Sequence, residues 1–189
     1  MPQFATRALS PATWPDFARL VTAHNGVWGG CWCMGFHPKG PGWGLSADLN
    51  RDEKHALVLQ GRARAALVYD SSDCVGWCQF GTPDELPRIK NAKGYLATNP
   101  VLPDWRVTCF FVGKGYRGKG VAAMGLDGAL QQIAAAGGGR VEGYPEDTTE
   151  RSVSGSFLFN GVLSMFKSAG FMRERLIGKH KWVVTKQVA

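Results

Sequence analysis

Between Trp105 and Gly137 the chain changes its hydrophobic period twice in 33 residues, and few folds accommodate that order. Trp105 to Val112 is rich in β-branched and aromatic residues and reads as a buried strand. Gly113-Lys114-Gly115-Tyr116-Arg117-Gly118-Lys119-Gly120 follows, with four glycines in eight residues, too flexible for strand or helix. From Val121 onward Ala122, Leu126, Ala129, Leu130 and Ile133 recur on one helical face, until Gly137-Gly138-Gly139 stops the run. A strand therefore passes through a glycine-rich loop into a helix N-terminus. The first amides of a helix lack intrahelical acceptors and sit at the positive end of its dipole. With glycines that let a ligand approach the backbone and with Arg117 and Lys119 nearby, residues Gly118 to Ala123 form a site for phosphate or pyrophosphate. The plain alternative is a glycine-rich surface turn. Neither G-x-x-x-x-G-K-[ST] nor G-x-G-x-x-G with a correctly spaced acidic residue occurs.

Arg117-Gly118-Lys119-Gly120-Val121-Ala122 does read as R-x-x-G-x-A, and it resembles the acyl-CoA pyrophosphate loop of the GNAT N-acetyltransferase superfamily. Asn160 to Phe171, NGVLSMFKSAGF, is similar to that superfamily's late helix and the Gly-Phe pair opening its next strand. The resemblance implies a single-domain α/β (α+β) fold over residues 1–189, with a mixed, mostly antiparallel sheet of about seven strands flanked by helices. It also implies acetyl-CoA as the cofactor. Phe110, Phe111 and Val112 would then serve the pantetheine arm and thioester. Arg117, Gly118, Lys119, Gly120, Val121, Ala122 and Ala123 would hold the pyrophosphate, with Asn160 joining the cofactor set.

In that family the acceptor amine attacks the thioester directly, so the enzyme must remove an ammonium proton and polarise a carbonyl. Glu142 and Tyr144 stand near the end of the strand after the central helix, two apart and hence on one face, and are the candidate catalytic pair. An exposed glutamate and a packed tyrosine are their plain alternative. The family's usual tyrosine, five residues before the Phe of Gly-Phe, is Phe166 here, which has no proton to give. The resulting expectation is an N-acetyltransferase for a primary amine, that of a small molecule rather than a protein. An acyl-CoA-binding module with little turnover is the alternative that Phe166 suggests.

The remaining chain reads as follows. Gln3 to Leu9 is a strand, and a helix starts at Ser10 or Thr13, with Phe17, Leu20 and Val21 on its apolar face. Val27 to Gly44 holds three tryptophans and two cysteines among six glycines, and reads as an ordered loop packed on the domain; the GNAT resemblance implies that it walls the acceptor site, with a purely structural loop as the alternative. A second helix runs from Leu49 to Gln60, with Asn50 and Glu53 spaced as a capping pair. Ala63 to Tyr69 and Cys74 to Phe80 form a hairpin around Asp70-Ser71-Ser72-Asp73. Gly81 to Asp104 is a proline-marked loop with a short helix near Asp84 to Ile89, a candidate lid. Arg140 to Tyr144 is a strand, Pro145 to Ser156 a polar loop, and Val162 to Ser168 a helix. Two strands close the chain, Gly170 to Leu176 and Trp182 to Lys186.

Charge and cysteines narrow the partners. The net charge is +7, much of it in Lys167, Arg173, Arg175, Lys179, Lys181 and Lys186, which face only Glu174. No nucleic-acid motif accompanies these charges and no aromatics interleave them, so an anionic cofactor is a sufficient partner. Nucleic acid and membrane are not expected, and a homodimer is compatible with the sequence. The N-terminus lacks a signal peptide's apolar core, and a cytoplasmic location is expected. Five cysteines, an odd number, point to free thiols. Cys31-x-Cys33 is a poor zinc spacing, and Cys74 and Cys78 on one strand would stand about 13 Å apart. None of His24, His37, His55 and His180 has metal-ligand or triad spacing to another, so no metal is expected.

Overall fold

The computed structural model describes residues 4–40 and 43–189. Gln3, Pro41 and Gly42, which the expectations above include, lie outside the described residues. The chain runs β1 (Phe4–Ala8), α1 (Trp14–Thr22), α2 (Ala47–Leu59), β2 (Arg64–Asp70), β3 (Asp73–Gly81), α3 (Ala92–Leu96), β4 (Trp105–Val112), α4 (Val121–Ala135), β5 (Gly139–Gly143), α5 (Leu163–Ser168), β6 (Met172–Leu176) and β7 (Trp182–Val188). The seven strands make one sheet in the order β1-β2-β3-β4-β5-β7-β6. Only β4 and β5 are parallel neighbours, and they are joined through α4, the connection a parallel pair requires.

Alternation along the central strands divides the core between two faces. Ala65, Leu67 and Tyr69 of β2 and Trp77 of β3 pack under α1 and the segment 27–36. Ala66 of β2, Cys78 of β3 and Val107 and Phe110 of β4 pack under α4 and α5. Gly125 and Gly128 let α4 lie close to the sheet, since a Cβ at Gly128 would come within 2.8 Å of Thr6.

Two local expectations need correction. The short helix of the Gly81–Asp104 stretch is not at Asp84 to Ile89 but at Ala92–Leu96. Pro87 disfavours helical geometry at Leu86, and the earlier piece is only a turn closed by Leu86 N–H to the Thr82 carbonyl at 2.9 Å. The second helix starts at Ala47, capped by Ser46, whose hydroxyl accepts from Leu49 N–H at 3.3 Å. Asn50 lies inside that helix, and its side-chain amide donates instead to the Gly30 carbonyl at 2.9 Å, tying α2 to the tryptophan-rich segment.

The functional consequence of the sheet lies between β4 and β5. Their pairing covers only Trp105 with Val141, Arg106 with Glu142 and Val107 with Gly143, after which the strands part. Residues 158–160 fill the base of the gap. Phe110 N–H donates to the Phe159 carbonyl at 2.7 Å, and the Asn160 side-chain amide donates to the Thr108 carbonyl. Lys181, buried, holds Asn160 from behind by donating to its side-chain oxygen at 2.9 Å.

Candidate active site

The gap opens into a cavity of about 510 Å³. Phe110, Phe111 and Val112 of β4 form one wall, and Arg117, Gly118, Gly120, Val121, Ala122 and Ala123 form its glycine-loop end. Those residues are brought together as the sequence predicts. Gly118 and Gly120 take φ of +75° and +84°, the left-handed region that favours glycine, and a Cβ at either would meet no protein atom within 4 Å. The loop thus presents bare backbone to the cavity. Gly120 occupies the N-cap of α4 without any side-chain cap, so the first helical amides point outward with no acceptor in the helix. On β4, Phe110 N–H faces the gap, whereas Gly113 N–H turns the other way to the Val75 carbonyl at 2.8 Å. Alternation then directs the Val112 backbone toward the gap. These features fit a pyrophosphate-bearing ligand with an extended arm.

Two of the predicted cofactor residues do not line the cavity. Lys119 is exposed, its ammonium 5.3 Å from the Tyr116 ring centroid. Asn160 is buried, with its amide engaged by Thr108 and its oxygen by Lys181, so it shapes the gap rather than facing a ligand.

A second cavity, of about 430 Å³, adjoins the first, and Trp28 and Phe159 line both. Its other walls come from the tryptophan-rich segment (Cys31, Cys33, Phe36, Trp43), from Arg88, Ile89 and Lys90, and from Cys109 of β4. Val27 to Gly44 and the Gly81 to Asp104 stretch therefore meet over one space. The segment gets there through unusual backbone, with Val27, Trp28, Trp32 and Cys33 all at positive φ. The Trp32 ring, 6.0 Å from that of Trp14, packs it onto α1.

Behind this cavity lies a buried polar chain that sequence spacing did not reveal. Lys54 of α2 is 1% exposed, and its ammonium stands 2.7 Å from the Gln79 side-chain oxygen and 2.9 Å from His37 Nε2. Gln79 in turn donates to Thr108 at 3.1 Å. Burial, and then Lys54, pushes the His37 imidazole down to about 2, so it is neutral and accepts from Lys54. Burial alone would raise the Cys33 thiol, but the Cys109 thiol beside it and then Lys54 bring it below the ordinary thiol range. Cys31 is pushed up to about 11, chiefly by burial, and Cys109 is held well above the ordinary thiol range by its contact with Cys33 and by burial. All five cysteines are free thiols, and no group of metal-ligating side chains occurs among the described residues.

Glu142 and Tyr144 share a face of the sheet as expected, but it is the face closed by α3, and neither residue lines the two cavities. Glu142 is 0% exposed and accepts from Tyr95 at 2.8 Å, Tyr144 at 3.0 Å and Arg140 at 2.9 Å. Burial, with Glu142 adding to it, raises both phenols, so they remain hydrogen-bond donors. Such a carboxylate is fully engaged as a clamp between β5 and α3. Phe166 is likewise buried, packed edge-on between Phe110 at 5.9 Å and Phe171 at 5.0 Å.

A seven-stranded sheet parted between parallel β4 and β5, with a glycine loop opening the intervening helix, is the fold of the GNAT acetyltransferases. Solved structures share it over nearly the whole chain. An N-acetyltransferase from Staphylococcus aureus Mu50 matches at TM-score 0.56 with 12% identity, covering 99% of each chain. Arabidopsis thaliana NAA60 in complex with acetyl-CoA matches at TM-score 0.54 with 11% identity, covering 98% of this chain and 99% of that one. An acetyltransferase of the GNAT family from Streptococcus pneumoniae matches at TM-score 0.53 with 12% identity, covering 99% and 100%. No protein-family model matches the sequence, and no curated protein matches it significantly. Among the described residues no helix is long and apolar enough to cross a membrane.

Proposed function

We propose that the protein is an acetyl-CoA-dependent N-acetyltransferase acting on the primary amine of a small molecule. The observation that carries this reading is the meeting of two cavities at Trp28 and Phe159, one with the glycine loop and parted strand edge, the other lined by aromatic and cationic side chains. The first suits acetyl-CoA, which supplies the acetyl group as a thioester with a thiolate leaving group. Gly118, Gly120 and the first amides of α4 would cradle its pyrophosphate, with Arg117 adding charge. The Val112 backbone would hold the pantetheine arm along β4, so that the acyl end reaches the junction. The acceptor would enter from the second cavity, whose aromatic lining suits a small, partly apolar molecule.

An amine must lose a proton to attack. Glu142 and Tyr144 line neither cavity, which supports assigning the role to another group. Among the described residues lining the acceptor cavity, the titratable side chains are Cys31, Cys33, Cys109, Arg88 and Lys90. Cys33, its thiol lowered beside Cys109, is the group we assign to take the proton. Trp28 and Phe159 would keep water from the junction.

The test is mass-spectrometric detection of acetylated product from a panel of primary amines with acetyl-CoA, alongside calorimetry of CoA binding. Saturable acetylation is expected. CoA binding without acetylation of any amine would instead favour the acyl-CoA-binding module.

A further inference from the structure

The acceptor cavity carries a feature that proton transfer does not use. The Arg88 guanidinium lies over the Trp43 ring, 4.2 Å from its centroid, which fixes the plane of the fork. Its Nη1 is buried and has no hydrogen-bond partner among the described residues. Lys90, on the same wall, is exposed at the mouth, with its ammonium 5.0 Å from the Phe159 ring centroid. No aspartate or glutamate stands among the described residues lining this space. A buried guanidinium N–H without an acceptor is costly, because its desolvation is uncompensated. Arg117, the cation beside the glycine loop, lines the other cavity, so Arg88 is not part of the pyrophosphate site.

We propose that the acceptor amine bears an anionic group, a carboxylate or a phosphate, which the Arg88 guanidinium binds while the acceptor's apolar body lies against Trp28, Phe36, Trp43 and Phe159. This rests on the acetyl-transfer reading and specifies its substrate class. Stacking on Trp43 holds the guanidinium in one orientation before the acceptor arrives, so little ordering remains to oppose binding. Lys90 draws the anion to the mouth. Both cations oppose acceptors that carry only positive charge, such as polyamines, so the same side chains attract one class and reject another.

The experiment uses matched acceptors, each amine as its free carboxylate, as the corresponding primary amide and as a phosphate-bearing analogue, with wild type, Arg88→Gln and Arg88→Lys. In the wild type an anionic member should exceed its neutral amide by about 10- to 100-fold in kcat/KM, the worth of a charge-assisted hydrogen bond. Whether carboxylate or phosphate is preferred identifies the anion. Arg88→Gln should abolish the preference by raising KM for the anionic member more than for the amide, leaving CoA affinity unchanged. Arg88→Lys should keep part of it. Equal kcat/KM for anionic and neutral members in the wild type, or undiminished preference in Arg88→Gln, would overturn the anion site while leaving acetyl transfer intact. If no acceptor is acetylated although calorimetry shows CoA bound, the transferase reading fails and the anion site with it.

Discussion

Gly120 offers the sharpest test of the cofactor site, because Gly61 supplies a matched control. Both are left-handed, at φ +84° and +69°, and at both a Cβ would meet no protein atom within 4 Å. Valine at either position therefore adds backbone strain without a clash at Cβ, costing about 1–2 kcal/mol of stability. Gly61 follows α2 and lies outside both cavities, whereas Gly120 lines the first beside the free amides of α4. A valine side chain at Gly120 occupies the space through which a phosphate oxygen would reach those amides. A hydrogen bond to a charged group is worth about 1.5–3 kcal/mol, so losing one weakens CoA binding by about 10- to 100-fold. Calorimetry gives the CoA Kd, and urea unfolding gives the stability of each variant. Gly120→Val should lose both affinity and stability, and Gly61→Val stability alone. A folded Gly120→Val protein with wild-type CoA affinity would refute the site, and equal weakening by Gly61→Val would show that strain, not access, is responsible.

Cys33 and Glu142 make separate predictions. With the Cys33 thiol lowered, its thiolate fraction and the amine-acetylation rate should rise together with pH, at an inflection below that of an ordinary thiol. Cys33→Ser should lower kcat by about 100-fold and remove that inflection while leaving the CoA Kd unchanged, and a wild-type profile in the variant would move the base elsewhere. Glu142→Gln removes the carboxylate shared by Tyr95, Tyr144 and Arg140, and should cost about 2–4 kcal/mol of stability by urea unfolding, without altering the pH–rate profile. A shifted profile with unchanged stability would restore Glu142 to the chemistry.

What could be read from the sequence was local. The strand, glycine loop and helix from Trp105 onward announce themselves by changes of period within one continuous stretch, and that stretch builds the first cavity. Alternation placed Glu142 and Tyr144 on one face correctly, but it says nothing about what covers that face. Tyr95 does so, from a helix that sequence reasoning set several residues too early by overlooking the effect of Pro87 on Leu86. The acceptor cavity was least legible. Cys33, Lys54, Gln79, Arg88 and Cys109 come from five separate segments, and no spacing rule joins them. The signal available was compositional, in the aromatic density of Val27 to Gly44 and the long proline-marked stretch, and it located the walls without revealing the chemistry behind them.

The plug at residues 158–160 bears on what the parted sheet refuses to bind. An unpaired half-strand is ordinarily a template on which another extended chain can add, whether a peptide or a neighbouring molecule. Such an addition needs a run of alternate donors and acceptors along β4. Here the Thr108 carbonyl is taken by Asn160 and Phe110 N–H by Phe159, which leaves the ladder interrupted before Val112. A polypeptide laid along the edge would find too few bonds to hold its register, whereas an arm with only scattered polar groups loses little. The plug thus caps the β4 edge up to Phe110, where two of its bonding positions are already taken.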